Sequence, residues 1–205
     1  MIVLSHRGFW RTPGEKNARD AFTRTVRERF GTETDVRDRD GRLVVAHDPA
    51  DGSALDWGEV VAMFEGTGLP LAVNVKADGL SGLLAQAFDS RGIDWFAFDM
   101  SVPETVRYAR ANLPYFTRHS DVEPAPVLYD QAQGVWLDAF ASEWFDEATI
   151  RDHLSHDKRV CVVSPELHGR PHQDTWAMLK PFAERGAAVM LCTDWPDQAK
   201  AFFNS

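Results

Sequence analysis

Short apolar runs typical of strands alternate with amphipathic runs typical of helices along all 205 residues. The strand-like runs are continuously apolar, as expected of strands covered on both faces, and this alternation favours a parallel sheet covered by helices. About eight such units predict an α/β fold of the compact (β/α)8 TIM barrel type, with one domain over residues 1–205. The predicted strands are 2–6, 32–38, 43–48, 71–76, 95–100, 115–120, 135–140, 159–164 and 188–194, and the predicted helices are 17–30, 56–65, 80–91, 103–112, 146–156 and 173–185.

An open, doubly wound sheet is the alternative fold. Such sheets bind ligands at one crevice and often carry a Gly-rich phosphate loop after the first strand. This chain has no such loop, and polar residues end nearly every predicted strand. That distribution favours a closed ring of strand ends.

The charge balance excludes one class of partner. With 22 Lys and Arg against 31 Asp and Glu, the net charge is −9, which argues against a nucleic-acid-binding surface but permits a local basic pocket for a small anion. No run approaches the roughly 20 apolar residues of a membrane span, and the apolar start is too short for a signal peptide. We therefore expect a cytoplasmic protein without a membrane span. The oligomeric state is not predicted.

Two histidines and two carboxylates end the first three predicted strands. His6 and His47 follow strands one and three, and Glu33 and Asp35 lie two apart on strand two, hence on one face. Two facing imidazoles can serve as general base and general acid. The carboxylates are either solvated outward residues or, if they face the barrel mouth, a repelling pair that needs a divalent cation such as Mg²⁺ or Ca²⁺.

Basic side chains at the same ends suit an anionic substrate. Arg7 directly follows His6 and precedes Gly8, where its forked donors can grip a phosphate. Lys76 shares one strand face with Asn74 and offers a point charge to the same anion. The alternative for each is an ordinary surface charge.

Two polar loops later in the chain predict further substrate contacts. One follows the strand at 115–120, and the other follows the strand at 159–164. We interpret these loops as the leaving-group pocket, although a solvated loop is the alternative. The residues predicted to bind substrate there are Arg118, Glu123, Glu166 and His168.

The first quarter of the chain resembles a known family. An HRG strand end, an Asn before a helix (KNARDAF), a Glu-x-Asp strand, an Asp-Gly turn and a strand ending His-Asp occur in order over residues 3–49. This combination resembles the N-terminal signature of the glycerophosphodiester phosphodiesterases. The segments LAVNVKADG and MLCTDWPDQA resemble later strands of that family, less strongly.

The resemblance implies a (β/α)8 barrel that cleaves small phosphodiesters with a bound divalent cation. By resemblance, the acid–base pair is His6 and His47, the metal ligands are Glu33, Asp35 and Asn74, and the phosphate contacts are Arg7 and Lys76. Two departures make this site a variant. Asn74 stands where the family usually has a Glu ligand, which removes one negative charge, and Lys16 precedes the helix-start Asn17.

Three functions are compatible with these residues. Metal-dependent hydrolysis of a phosphoric diester is the leading hypothesis. A lyase-type transfer, in which a substrate hydroxyl attacks and a cyclic phosphate leaves, would use the same groups. A non-catalytic barrel that binds a phosphorylated metabolite is the third, motivated by Asn74.

Overall fold

Ten strands and seven helices form residues 1–204, the part of the chain that the computed structural model describes. The strands are β1 (Ile2–His6), β2 (Gly31–Arg39), β3 (Arg42–Val45), β4 (Leu55–Asp56), β5 (Leu71–Val75), β6 (Trp95–Phe98), β7 (Phe116–His119), β8 (Gly134–Leu137), β9 (Arg159–Val163) and β10 (Val189–Thr193). The helices are α1 (Arg19–Arg27), α2 (Trp57–Phe64), α3 (Ser81–Phe88), α4 (Val102–Arg110), α5 (Glu147–Ser155), α6 (Gln173–Glu184) and α7 (Pro196–Phe203).

Eight of the strands run parallel around a barrel in the order β1, β2, β5, β6, β7, β8, β9 and β10. β10 pairs with β1, where Met190 lies opposite Ile2. A parallel bridge between Ala97 and Tyr115 links the β6 and β7 sides, and the Ala97 N–H donates to the Pro114 carbonyl at 3.0 Å. The predicted (β/α)8 barrel is confirmed.

The third predicted strand lies outside this ring. β3 runs antiparallel to β2, with Val45 opposite Val36, and β4 extends the same hairpin. The cause is the Asp40-Gly41 turn, in which both residues adopt positive φ (51° and 76°), a geometry that joins antiparallel strands. Treating residues 43–48 as equivalent to a barrel strand was therefore wrong, and β5 is the third strand of the ring.

Side chains alternate between the barrel interior and the helix layer, as β5 illustrates. Leu71, Val73 and Val75 pack outward in the apolar layer that includes α2 and α3, whereas Ala72 belongs to the interior cluster. Inside the barrel, two aromatic pairs stack, Phe96 on Phe116 and Phe98 on Trp136, with ring centroids 3.7 and 3.8 Å apart. The interior is therefore a packed core.

Local signals set the ends of several helices. The Asp146 side chain accepts a hydrogen bond from the Thr149 N–H at the start of α5, and Ser101 does the same for Glu104 at the start of α4. The first predicted helix begins at Arg19 rather than at residue 17, because Asn17 adopts a φ of 62°. None of the helices over residues 1–204 is long and apolar enough to cross a membrane.

Candidate functional site

A cavity of about 290 Å³ opens at the carboxyl ends of the barrel strands. Active sites of (β/α)8 barrels lie at this end because the strand ends and the following loops converge there. Aromatic side chains, among them Phe98 and Trp136, form part of its wall. The polar lining residues are His6, Arg7, Glu33, His47, Asn74, Lys76, Asp99, Arg118, Asp138 and His168.

His6, at the end of β1, is held by a carboxylate from the last barrel strand. Its Nδ1 lies 2.6 Å from Asp194 Oδ1, and its Nε2 lies 3.8 Å from Glu33 Oε2. Lys16 Nζ lies 3.3 Å from the other Asp194 oxygen. Burial acts to raise the pKa of Asp194, but the hydrogen bond and charge of His6, with the charge of Lys16, outweigh burial and lower it. Asp194 therefore stays ionised and fixes the orientation of the His6 ring.

Glu33 is buried at the base of the cavity, with 2% of the residue exposed. The Arg7 N–H lies 3.2 Å from its Oε2 and donates a hydrogen bond to it. Burial is the main cause that raises the pKa of Glu33 to about 7, and the charge of Asp35 adds to it. The charges of His6, Arg7 and Lys76 act in the opposite direction. Glu33 is therefore a carboxyl that a further cation would help to ionise.

Asp35 is fully buried beneath two cations. Arg7 Nε lies 2.9 Å from its Oδ2, and Lys76 Nζ lies 3.4 Å from its Oδ1. The Asn17 amide donates to Oδ2 at 2.8 Å, while the Asn17 oxygen accepts from the Thr34 hydroxyl. Glu33 and Asp35 thus point into the barrel rather than to its outer wall, and part of the charge on Asp35 is balanced by the protein itself.

Two buried oxygens bear on the predicted metal site. Asn74 Oδ1 and Asp35 Oδ1 have no hydrogen-bond partner among the described residues, and the parallel register pairs these two residues. Hard divalent cations take oxygen ligands of this kind. Across residues 1–204, no three His, Cys, Asp or Glu side chains are grouped to hold an ion. The oxygens of Glu33, Asp35 and Asn74 are nevertheless of the chemical type that Mg²⁺ and Ca²⁺ bind, two carboxylates and one amide.

His47 lines the cavity although it follows the hairpin strand β3 and not a strand of the barrel. The hairpin returns antiparallel to β2, so the Ala46 N–H donates to the Asp35 carbonyl and His47 lies near the level of that residue. Its Nδ1 lies 3.0 Å from Asp48 Oδ1, and 46% of its side chain is exposed. His47 is therefore a rim residue with a solvent-exposed partner.

Arg118, at the end of β7, lies across the cavity from the hairpin. It forms an ion pair with Asp99, its Nε lies 3.3 Å from Glu123 Oε2, and its guanidinium packs 5.0 Å from the Phe140 ring centroid. Burial disfavours its charge, but Asp99 outweighs burial, and the pKa of Arg118 is raised. Glu123 is not among the residues that line the main cavity; it lines a neighbouring cavity of about 130 Å³ behind Arg118.

The loop after β9 carries two residues predicted to bind substrate, and it places them differently. His168 lines the cavity and its Nε2 lies 2.7 Å from Asp138 Oδ1. The Glu166 carboxylate accepts hydrogen bonds from the Ser164 and Thr193 hydroxyls and from the Asp194 N–H. It is not among the cavity-lining residues, so it supports the loop from behind rather than facing a substrate.

Sequence reasoning assigned no role to three residues that hold the site together. Asp194 and Asp138 were visible as polar residues at strand ends, but their histidine partners lie 188 and 30 positions away in sequence. Asn17 was visible only as part of the motif before the first helix. Its positive φ, which turns the amide toward Asp35, is the feature that a sequence signal could have indicated, because Asn is enriched in that conformation.

Comparison with known proteins shows the fold. No protein-family model matches the chain, and no curated protein matches it. Among solved structures, the chain is similar to a glycerophosphodiester phosphodiesterase from Agrobacterium tumefaciens str. C58, with a TM-score of 0.70 and 15% identity over 100% of both chains. A Ca²⁺-dependent phosphatidylinositol-specific phospholipase C from Streptomyces antibioticus has a TM-score of 0.57 and 10% identity, covering 98% of this chain and 95% of its own.

A third similar structure is a spore coat polysaccharide biosynthesis protein from Bacillus subtilis, with a TM-score of 0.57 and 10% identity over 99% of this chain and 66% of that one. That protein belongs to polysaccharide biosynthesis, an activity different from those of the first two. At identities of 10–15%, these similarities establish the barrel fold but do not show which reaction the chain catalyses. The chain has the fold of the two phosphodiester-cleaving enzymes, and its cavity lies at the end of the barrel where such folds carry their active sites.

Proposed function

We propose that this chain is a phosphoric diester hydrolase, similar in chemistry to the glycerophosphodiester phosphodiesterases and assisted by a divalent cation. One observation carries the proposal. A single cavity at the carboxyl ends of the strands combines imidazoles, basic side chains and a buried carboxylate–amide set. The similarity to two phosphodiesterase structures supports the same reading.

The basic residues would bind the phosphate. Arg7 and Lys76 lie on one side of the cavity, next to Asp35, and Arg118 lies on the β7 side. A guanidinium can donate two parallel hydrogen bonds to phosphate oxygens, and an ammonium adds a compact point charge. All three are at most about one quarter exposed, with side-chain exposures of 23%, 20% and 19%. Their field therefore acts on the substrate with less screening than at an open surface.

The histidines would supply acid–base chemistry. Because Asp194 occupies Nδ1 of His6, the Nε2 atom is the one left to exchange a proton with the reacting groups. His47, at the rim of the same cavity, is a second imidazole that can exchange a proton there. Positioned acid–base groups each accelerate proton transfer by about 10²–10⁴-fold.

Glu33, Asp35 and Asn74 would hold the cation, which when bound polarises phosphoryl oxygens and stabilises their negative charge. A cation at this position would also relieve the repulsion between the two carboxylates. Since Asn74 contributes no charge, we expect weaker binding than a site with three carboxylates would give.

A screen of small phosphodiesters tests the proposal. Release of alcohol is measured with Mg²⁺, Mn²⁺, Ca²⁺ or chelator, for the wild type and for His6→Ala. The proposal predicts cation-dependent release and a loss on the order of 10²-fold or more in the variant. Turnover that survives complete chelation would refute the metal role, and no turnover of any diester would refute the activity.

A further inference from the structure

The cavity contains a second imidazole that a buried carboxylate orients. His168 ends a 3₁₀ turn (Pro165–His168) after β9, and Gly169, with a φ of 72°, reverses the chain behind it. Its Nε2 lies 2.7 Å from Oδ1 of Asp138, which is 4% exposed and also accepts from the Ala139 N–H. This arrangement parallels that of His6 and Asp194 on the other side of β10.

The surrounding loop holds this imidazole in place. The rings of Phe140 and His168 pack edge to face, with ring centroids 5.2 Å apart. Arg170 pairs with Glu143 at 2.8 Å and donates to the Ala139 carbonyl, which ties the loop to the end of β8. Glu166 anchors the start of the same turn from behind. The ring therefore has little freedom to rotate, as a proton donor at a fixed position requires.

His47 differs from His168 in each of these respects. The His47 side chain is 46% exposed against 23% for His168, and the Asp48 side chain beside it is 89% exposed. A half-exposed imidazole can exchange protons with water. An imidazole against a buried carboxylate keeps one orientation.

We propose that His168, positioned by Asp138, protonates the departing alcohol. This inference rests on the proposed diester hydrolysis and assigns its leaving-group side to the β8–β9 wall. Within residues 1–204, His168 Nδ1 shows no hydrogen bond, so it is the atom left to face a substrate while Nε2–H donates to Asp138. His6 and His47 then act on the attacking water and on the passage of its proton to solvent.

Hydrolysis by this route moves one proton on each side of the phosphorus atom. A water oxygen forms a bond to phosphorus and gives a proton to His6 Nε2. The bond between phosphorus and the alcohol oxygen breaks, and that oxygen keeps the electron pair and takes the proton of His168 Nδ1. The products are a phosphate monoester and a neutral alcohol. His6 returns its proton to solvent, and His168 takes one up.

Leaving-group dependence tests the assignment. A simple alkyl phosphodiester needs a proton on its departing oxygen, whereas an alkyl nitrophenyl phosphodiester releases a phenolate that is stable near neutral pH. We expect His168→Gln to lower kcat for the alkyl diester by on the order of 10²-fold. For the nitrophenyl diester, we expect kcat to fall by only about tenfold. His47→Gln should lower kcat for both diesters by the same factor.

Asp138→Asn provides a second variant, because Asn keeps an oxygen that can accept from His168. It should show the same dependence on the leaving group at a smaller loss, and the double variant should be no slower than His168→Gln alone. His156→Gln, the same substitution on the outer face at the end of α5, controls for the exchange itself. Thermal unfolding verifies that each variant is folded.

The outcomes separate the two proposals. Three results would overturn the assignment to His168 while the hydrolase proposal stands. They are an equal loss of kcat on both diesters in His168→Gln, no loss of kcat on either diester, and a loss that depends on the leaving group in His47→Gln instead. A wild-type protein that turns over neither diester would overturn both.

Discussion

Glu33→Gln removes a buried negative charge while it keeps the size of the side chain. Burial, with the charge of Asp35, raises the pKa of Glu33 from 4.5 to about 7. The unfolded chain therefore releases this proton near its ordinary pKa, whereas the folded protein holds it to higher pH. Between pH 4.5 and about pH 7, the folded state therefore binds more protons than the unfolded state. The stability that Glu33 contributes is present at low pH and is lost as the pH rises toward 7.

The magnitude follows from the two pKa values. At about 1.4 kcal/mol per pKa unit, ionised Glu33 costs the folded state about 3 kcal/mol above pH 7, and roughly 2.5 kcal/mol of this develops between about pH 5 and about pH 8. Other groups titrate over the same range in both proteins. The difference between the wild type and Glu33→Gln isolates this one carboxyl.

Urea unfolding with a chelator at these two pH values measures the effect. We expect the free energy of unfolding of the wild type, relative to Glu33→Gln, to fall by about 2–3 kcal/mol from the lower to the higher pH. A divalent cation should remove this fall in the wild type, because it favours the ionised carboxylate. Parallel pH profiles of the two proteins in chelator would refute the argument from burial.

Three further substitutions test other parts of the site. Asn74→Glu supplies a third carboxylate, and we expect calorimetry to show divalent-cation binding about tenfold tighter or more; unchanged affinity would mean that the ion does not contact this position. Glu166→Gln weakens the hydrogen bonds from Thr193 and Asp194, so urea unfolding should show a loss of about 1–3 kcal/mol, and no loss would contradict its supporting role. Arg118→Ala should raise KM for the diester by roughly tenfold or more, and an unchanged KM would remove this residue from substrate binding.

The barrel was predictable because its strands are covered on both faces. A run such as that of β5, buried at all five positions, differs clearly from the amphipathic helices beside it. The hairpin strand β3 misled the same reasoning. Leu43 and Val45 are buried against the outer apolar layer that includes α2, so the strand has the apolar character of a barrel strand although it runs antiparallel. The Asp40-Gly41 turn was the better signal.

The positions of the strand-end residues were predictable, but their partners were not. Parallel strands end together, which brings His6, Glu33 and Lys76 to one cavity. Pairing across the barrel depends on loop geometry that the sequence pattern does not contain. A polar loop residue such as Glu166 has the same sequence character whether it faces the cavity or supports it from behind. The roles assigned to these side chains in catalysis and binding stay predictions.

Phosphorus NMR of a small phosphodiester turned over in ¹⁸O-labelled water shows directly whether water attacks the phosphorus atom. The proposed mechanism predicts one phosphate monoester product that carries one labelled oxygen, formed by the wild type with a divalent cation and on the order of 10²-fold or more slowly by His6→Ala. Label in the alcohol, a cyclic phosphate as the accumulating product, or an unchanged diester signal would contradict it.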